Sequence, residues 1–92
     1  MKLDCLHENA SITDDEGRTF IVGQKVRLVS ELDGGLSDYI KPGDVGTVLY
    51  IKGPINGRYS LQIQWDKEIL SIKNRPMRPV SILSTYRVEP NV

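Results

Sequence analysis

The sequence predicts an all-β fold of five short strands, with a long loop after the first and a short helical turn before the last. Three observations carry this. Residues 60–65, Ser-Leu-Gln-Ile-Gln-Trp, alternate polar and apolar without a break, the period of a strand with one buried face. Asn56-Gly57 separates that run from a second apolar run, the strongest short-range signal of a two-residue hairpin turn. No segment of helical length repeats its apolar residues at a period near 3.6. Rolling such strands into a small closed barrel would remove the exposed edges that a small all-β chain must manage.

Taken in order, residues 1–17 are polar and acidic apart from Leu3, Leu6 and Ile12, and they read as an arm preceding a barrel over 18–92. Ser11-Ile-Thr and Arg18-Thr-Phe-Ile flank Asp14-Asp15-Glu16-Gly17, which suits a short outlying hairpin. The first barrel strand runs over Lys25–Ser30, with Val26 and Leu28 on one face and Lys25 and Arg27 on the other. Residues 31–44 have no periodicity and form a loop near the upper length that compact domains tolerate without a purpose. At its end Pro42 presets φ and Gly43 supplies a positive φ, the requirement of a type II turn.

The second and third strands, about 45–52 and 58–65, form the hairpin around Asn56-Gly57. In the third, Leu61, Ile63 and Trp65 fix the buried face, since a slip of one residue would bury the glutamines instead. Asp66-Lys67 reads as a tight reversal into a fourth strand over 68–73, where Leu70 and Ile72 alternate with Ser71 and Lys73. Pro76 and Pro79 make 74–79 an extended loop. Val80–Ser84 is short enough for a single helical turn, and Tyr86–Glu89 forms the closing strand, which Pro90 ends.

Composition narrows the function classes. The 92 residues include twelve basic and twelve acidic side chains, so the net charge gives no steering toward nucleic acid or an anionic membrane. The halves differ: residues 1–45 hold nine acids against five bases, a net of −4, and residues 46–92 hold seven bases against three acids, a net of +4. The single cysteine cannot form an internal disulfide, which points to a reducing, cytoplasmic compartment. No stretch approaches the roughly twenty apolar residues of a membrane span, and acids occupy the first twenty residues where a signal peptide needs an apolar run. A soluble chain with no membrane partner is expected. In such a chain the glycosylation sequon Asn9-Ala10-Ser11 carries no meaning.

The order of these elements is similar to that of the SH3-like barrel. More particularly, Gly23-x-x-Val26-x-Leu28, then Ile40-x-x-Gly43-x-x-Gly46-Thr47-Val48, then Gln64-Trp65-Asp66 and Leu70 resemble the pattern of a family of small bacterial and phage proteins of unknown function with an SH3-like barrel. The Gly-Asp-x-Gly-Thr-Val stretch over 43–48 also resembles the core of KOW-type domains of ribosomal and transcription-elongation proteins. The resemblance covers residues 20–88 and implies a fold more than an activity, because such folds host many unrelated functions. The chain departs from the pattern in extra loop at 33–38 and 74–80. Trp65 ends its strand, whereas a proline-peptide-binding SH3 domain carries its stacking tryptophan at the start of the corresponding one.

No group of residues demands catalysis, and the chain is expected not to be an enzyme and to need no cofactor. Gly43 and Gly46 lack the Lys-Ser/Thr pair and helix of a phosphate loop, and read as turn and strand-approach glycines. Asp66 suits a turn better than a catalytic role. Cys5 and His7 stand two apart, but one of each cannot satisfy zinc, which takes about four ligands. Asp14-Asp15-Glu16 lacks the calcium-loop spacing and reads as a solvated charge run. No metal site is expected.

Loops on a rigid β scaffold are the usual carriers of binding. Asp33, Asp38 and Tyr39 in the long loop, and Arg75, Met77 and Arg78 in the proline-containing stretch, are the candidate partner-binding residues, with Arg58 and Tyr59 placed to extend the second set. The expected function is a non-catalytic module binding another protein. The alternatives are a KOW-like contact surface for RNA or DNA, which needs Lys52, Arg58, Lys73, Arg75 and Arg78 on one face, and a phage or mobile-element inhibitor of a host machine.

Overall fold

The structure is a computed structural model describing residues 8–91. Among the described residues there are ten strands: β1 (Glu8–Asn9), β2 (Ser11–Thr13), β3 (Thr19–Ile21), β4 (Lys25–Leu28), β5 (Val45–Ile55), β6 (Arg58–Trp65), β7 (Ile69–Leu70), β8 (Pro76–Met77), β9 (Val80–Ser84) and β10 (Val88–Pro90). Two 3₁₀ turns, Gly35–Asp38 and Thr85–Arg87, interrupt the loops, and there is no α-helix among the described residues. In particular, no helix there is long and apolar enough to cross a membrane.

The main sheet has the order β10-β4-β5-β6-β9, every pairing antiparallel, with β1 added beside β5. The hairpins β2–β3 and β7–β8 stand off it as separate two-stranded sheets. The sheet's end strands, β9 and β10, do not pair with each other, and the closed barrel expected from the sequence is not found. What is found is one apolar core containing Phe20, Val26, Leu28, Val48, Ile51, Leu61, Ile63, Trp65 and Val88, with Leu32 and Ile40 of the long loop folded into it.

The central hairpin forms as the alternation predicts. Leu61, Ile63 and Trp65 are buried, while Gln62 and Gln64 lie on the other face. Asn56 and Gly57 both take positive φ, 51° and 76°, the mark of a type I′ turn. Pro42-Gly43 also behaves as expected: Asp44 N donates to Lys41 O at 3.0 Å and Gly43 has φ 99°, a type II turn. β5 continues past the expected residue 52 to Ile55, with register irregularities against β6 between Val48 and Tyr50 and between Lys52 and Ile55.

Two expectations are overturned. Val80–Ser84 is a strand, not a helical turn, and it holds the place beside β6 that the sequence assigned to residues 68–73. Its side chains explain this: Val80, Ile82 and Leu83 favour a pleated surface over a lone helical turn, and alternation sends Ser81 and Leu83 inward and Ile82 outward. The helical turn falls five residues later, at Thr85–Arg87, so the closing strand starts at Val88 instead of Tyr86. With that edge of β6 taken, only Ile69–Leu70 of the expected fourth strand is extended, and it pairs with Pro76–Met77.

The acidic N-terminal segment was expected to be an arm. Residues 1–7, including Cys5 and His7, lie outside the described part, and Ile12 is buried in the core beside Phe20. The outlying hairpin predicted there is β2–β3. Asp14 closes it: Oδ1 accepts the backbone N–H groups of Arg18 and Glu16 at 2.8 and 3.0 Å, and Oδ2 accepts Arg18 Nε at 2.8 Å. The Arg18 guanidinium goes on to donate to Val88 O at 3.0 Å and Thr85 O at 3.2 Å, tying the hairpin to the C-terminal elements. Burial would raise the Asp14 pKa, but the hydrogen bonds and charge of Arg18 outweigh it and hold the carboxyl below its ordinary value of 3.8.

Candidate partner-binding surface

The loop between β4 and β5 is long but fastened. Leu32 and Ile40 are buried at its two ends, and Gly34, at φ 78°, turns the chain into the 3₁₀ segment. There Ser37 Oγ and Ser37 N both donate to Gly34 O, at 2.7 and 3.2 Å, and Ile40 N donates to Leu36 O at 2.8 Å. Across the gap Lys67 Nζ donates to Tyr39 O at 2.8 Å and stands 3.8 Å from the Asp44 carboxylate. These bonds leave the Tyr39 ring half in solvent at a fixed point.

The β7–β8 hairpin faces that loop. Its tip is closed by Ser71 N to Arg75 O at 2.9 Å, Asn74 N to Ser71 O at 2.9 Å and Arg75 N to Ser71 Oγ at 3.2 Å, with Asn74 in the left-handed region at φ 57°. Asparagine tolerates that conformation better than most residues. The hairpin cannot bury its apolar side chains against the filled core, so Leu70, Ile72 and Met77 project outward.

Between the two elements lies an open groove of about 750 Å³, lined chiefly by Leu36, Tyr39, Ile69, Leu70, Ile72 and Met77. The exposures are large: Tyr39 51%, Leu70 65%, Ile72 103% and Met77 42%. Grouped apolar exposure of this kind marks interaction surfaces, whereas single exposed apolar residues are normal. Lys73 lines the groove, and Arg75 and Arg78 are exposed on the hairpin and just beyond it. Among the described residues none of these three cations has an ion-pair partner, while Lys25, Arg27, Lys67 and Arg87 each have one and Arg18 has two.

The candidate residues from the sequence are therefore divided. Tyr39 and Met77, 38 positions apart in the sequence, share this groove. Asp38 is exposed on the 3₁₀ turn beside it. Asp33 lines a second groove, of about 370 Å³, that follows β9. Arg58 and Tyr59 line a third, of about 280 Å³, with Asp15, Glu16, Thr85 and Tyr86, so they do not extend the Arg75–Arg78 stretch within one groove. The sequence reading missed Leu70 and Ile72 as surface residues, because their alternation with Ser71 and Lys73 imitates a half-buried strand.

Among the described residues no group of three or more His, Cys, Asp or Glu side chains is placed to hold a metal ion. Comparison of the chain with protein-family models, curated proteins and solved structures gives no match.

Proposed function

We propose that the chain is an SH3-like, non-catalytic module that binds a segment of another protein in the groove between Tyr39 and the β7–β8 hairpin. The SH3-like reading is supported by the sheet order β10-β4-β5-β6-β9, the long loop between β4 and β5, and the 3₁₀ turn between β9 and β10. The observation that carries the function is the clustering of Tyr39, Leu70, Ile72 and Met77 in one groove on fastened backbone. Lys73 in the groove wall, with Arg75 and Arg78 exposed on the hairpin and just beyond it, supplies positive charge that no ion pair among the described residues engages, so the segment that fits combines apolar anchors with flanking Asp or Glu.

Selection from a random-peptide display library against the immobilised chain tests this. Enrichment of peptides with paired apolar residues and acidic flanks is expected, and it is lost in the variant Leu70→Asp/Ile72→Asp. No enrichment, or enrichment unaltered in that variant, overturns the reading.

The same unpaired cations favour a second reading, a nucleic-acid contact. Binding of this kind falls steeply between about 50 and 200 mM salt. A mobility-shift titration at low salt with RNA and DNA oligonucleotides separates the two, since the apolar groove gives no reason for phosphate binding to depend on Ile72.

A further inference from the structure

The tip of the β5–β6 hairpin brings together the conditions for a covalent change at one asparagine. An asparagine loses its side-chain ammonia when the backbone nitrogen of the next residue attacks the carboxamide carbon. That step needs a carboxamide held by no partner, a following N–H bound to no acceptor, and no side chain on the following residue to obstruct the approach. Asn56 meets all three. Both Asn56 and Gly57 are exposed, and among the described residues neither the Asn56 carboxamide nor the Gly57 N–H makes a hydrogen bond. Around Gly57 there is open space, since a Cβ placed there would meet nothing within 4 Å.

The chain's other asparagines, at 9, 74 and 91, each fail a condition. Asn9 Nδ2 donates to Gly53 O at 3.2 Å and to Ile51 O at 3.5 Å, so its carboxamide is engaged. Asn74 shares the exposed hairpin tip and the positive φ of Asn56. The nitrogen that would attack it, Arg75 N, instead donates to Ser71 Oγ at 3.2 Å and belongs to a residue with a long side chain. Asn91 precedes the β-branched Val92. We propose that Asn56 is a site of spontaneous deamidation, converting to aspartate and isoaspartate in the folded chain.

The reaction needs only base and water. Gly57 N gives its proton to hydroxide and attacks Asn56 Cγ; the N–Cγ bond forms, the Cγ–Nδ2 bond breaks, and Nδ2 takes up a proton and leaves as ammonia. Water then opens the resulting succinimide. Cleavage at Cγ gives Asp, and cleavage at the backbone carbonyl carbon gives isoaspartate, with Gly57 joined through the side-chain carboxyl. The attack requires rotation about the Asn56 backbone, which an exposed tip without packed side chains reaches by local opening. The two products differ in consequence. Asp-Gly suits a type I′ turn as well as Asn-Gly does, so the Asp form keeps the hairpin and gains a carboxylate beside Arg58, in the wall of the groove of about 280 Å³. Isoaspartate adds a main-chain carbon to a two-residue turn, and the pairing of Ile55 with Arg58 is lost.

Incubation of the full chain at mildly alkaline pH, followed by trypsin digestion, chromatography and mass spectrometry, tests this. It needs no partner, so its result is independent of whether the Tyr39 groove binds a peptide. Trypsin releases Asn56 in the peptide 53–58 and, because proline follows both Arg75 and Arg78, Asn74 in the peptide 74–87. Peptide 53–58 is expected to give two new species of equal mass, Asp and isoaspartate, at a rate that rises with pH. Because opening an exposed tip costs little, that rate should lie within about tenfold of the rate in a synthetic peptide of the same six residues. Peptide 74–87 is expected to stay unconverted over the same period. Asn56→Gly, which keeps a type I′ turn as Gly-Gly, should prevent the acidic form that isoelectric focusing detects in the parent. An unconverted peptide 53–58 overturns the proposal, as does conversion to Asp alone, which would be direct hydrolysis. Conversion of 74–87 at an equal rate, or an acidic form that persists in Asn56→Gly, overturns it too.

Discussion

The indole Nε1 of Trp65 donates to Ser81 Oγ at 2.9 Å, joining the last residue of β6 to the second residue of β9 from within the core. Trp65 is fully buried, and a buried indole N–H needs an acceptor. Ser81 provides it only because Val80–Ser84 is extended and sends its second side chain inward. The bond thus helps hold the chain where, after its excursion over 66–79, it returns to β6.

Ser81→Ala removes that acceptor and leaves the donor buried, a loss of about 1–3 kcal/mol. The expected result is a lower urea midpoint at unchanged m-value, with tryptophan fluorescence reporting the transition. A midpoint equal to that of the parent would show that water or another group serves the indole equally well.

How much of this was legible in the sequence depended on whether the signal was local. The Asn56-Gly57 and Pro42-Gly43 turns are decided by the φ requirements of single residues, and the face of β6 by alternation within six positions, so all three were readable. The partner of β6 is decided by competition between two short segments, 68–73 and 80–84, with similar apolar alternation. Nothing local separates them; the long-range bond from Trp65 and the prolines between them do. The grouping of Tyr39 with Leu70, Ile72 and Met77 was hidden for the same reason, since it depends on two loops meeting across the sheet.

Gly46 supports a second prediction. It lies opposite Trp65 in the β5–β6 ladder, and a Cβ added there would fall 2.6 Å from Ile63 Cγ2, 2.9 Å from Gln64 O and 3.0 Å from Trp65 Cε3. Backbone cannot yield cheaply, so Gly46→Ala is expected to cost about 1–3 kcal/mol. Gly35→Ala, with nothing within 4 Å of the added atom and no positive φ, is the control expected within about 0.5 kcal/mol of the parent. Equal melting of the two variants would refute the close-approach account.

The Asp14–Arg18 pair sets an acid limit on stability. The folded-state pKa of Asp14 lies below its ordinary 3.8, so between the two values the unfolded chain binds more protons, and stability rises with pH there. The contribution is complete above the ordinary value and is lost as pH falls through the lower, folded one. Urea unfolding followed from about pH 5 to pH 2 is expected to show this loss, and Asp14→Asn to flatten part of it while lowering stability at neutral pH. An identical pH profile in the variant would assign the acid sensitivity to other carboxylates.

The exposed groove gives the sharpest separation of stability from function. Ile72 is fully exposed at the tip of the β7–β8 hairpin and contributes nothing to the core, so Ile72→Asp is expected to change stability by no more than about 0.5 kcal/mol. The same substitution puts a polar charge where an apolar anchor would seat, and a well-packed anchor is worth about 2 kcal/mol or more in an interface. Peptides selected on the parent chain should therefore bind Ile72→Asp at least about tenfold more weakly, as read by calorimetric titration. Removing Arg75 and Arg78 by substitution with Ala should instead weaken binding mostly at low salt, because exposed charges act through screened attraction. If Ile72→Asp melted well below the parent, the hairpin would be part of the core and not a surface for partners. If it melted normally and bound the peptides undiminished, the apolar residues of the groove would have no part in recognition.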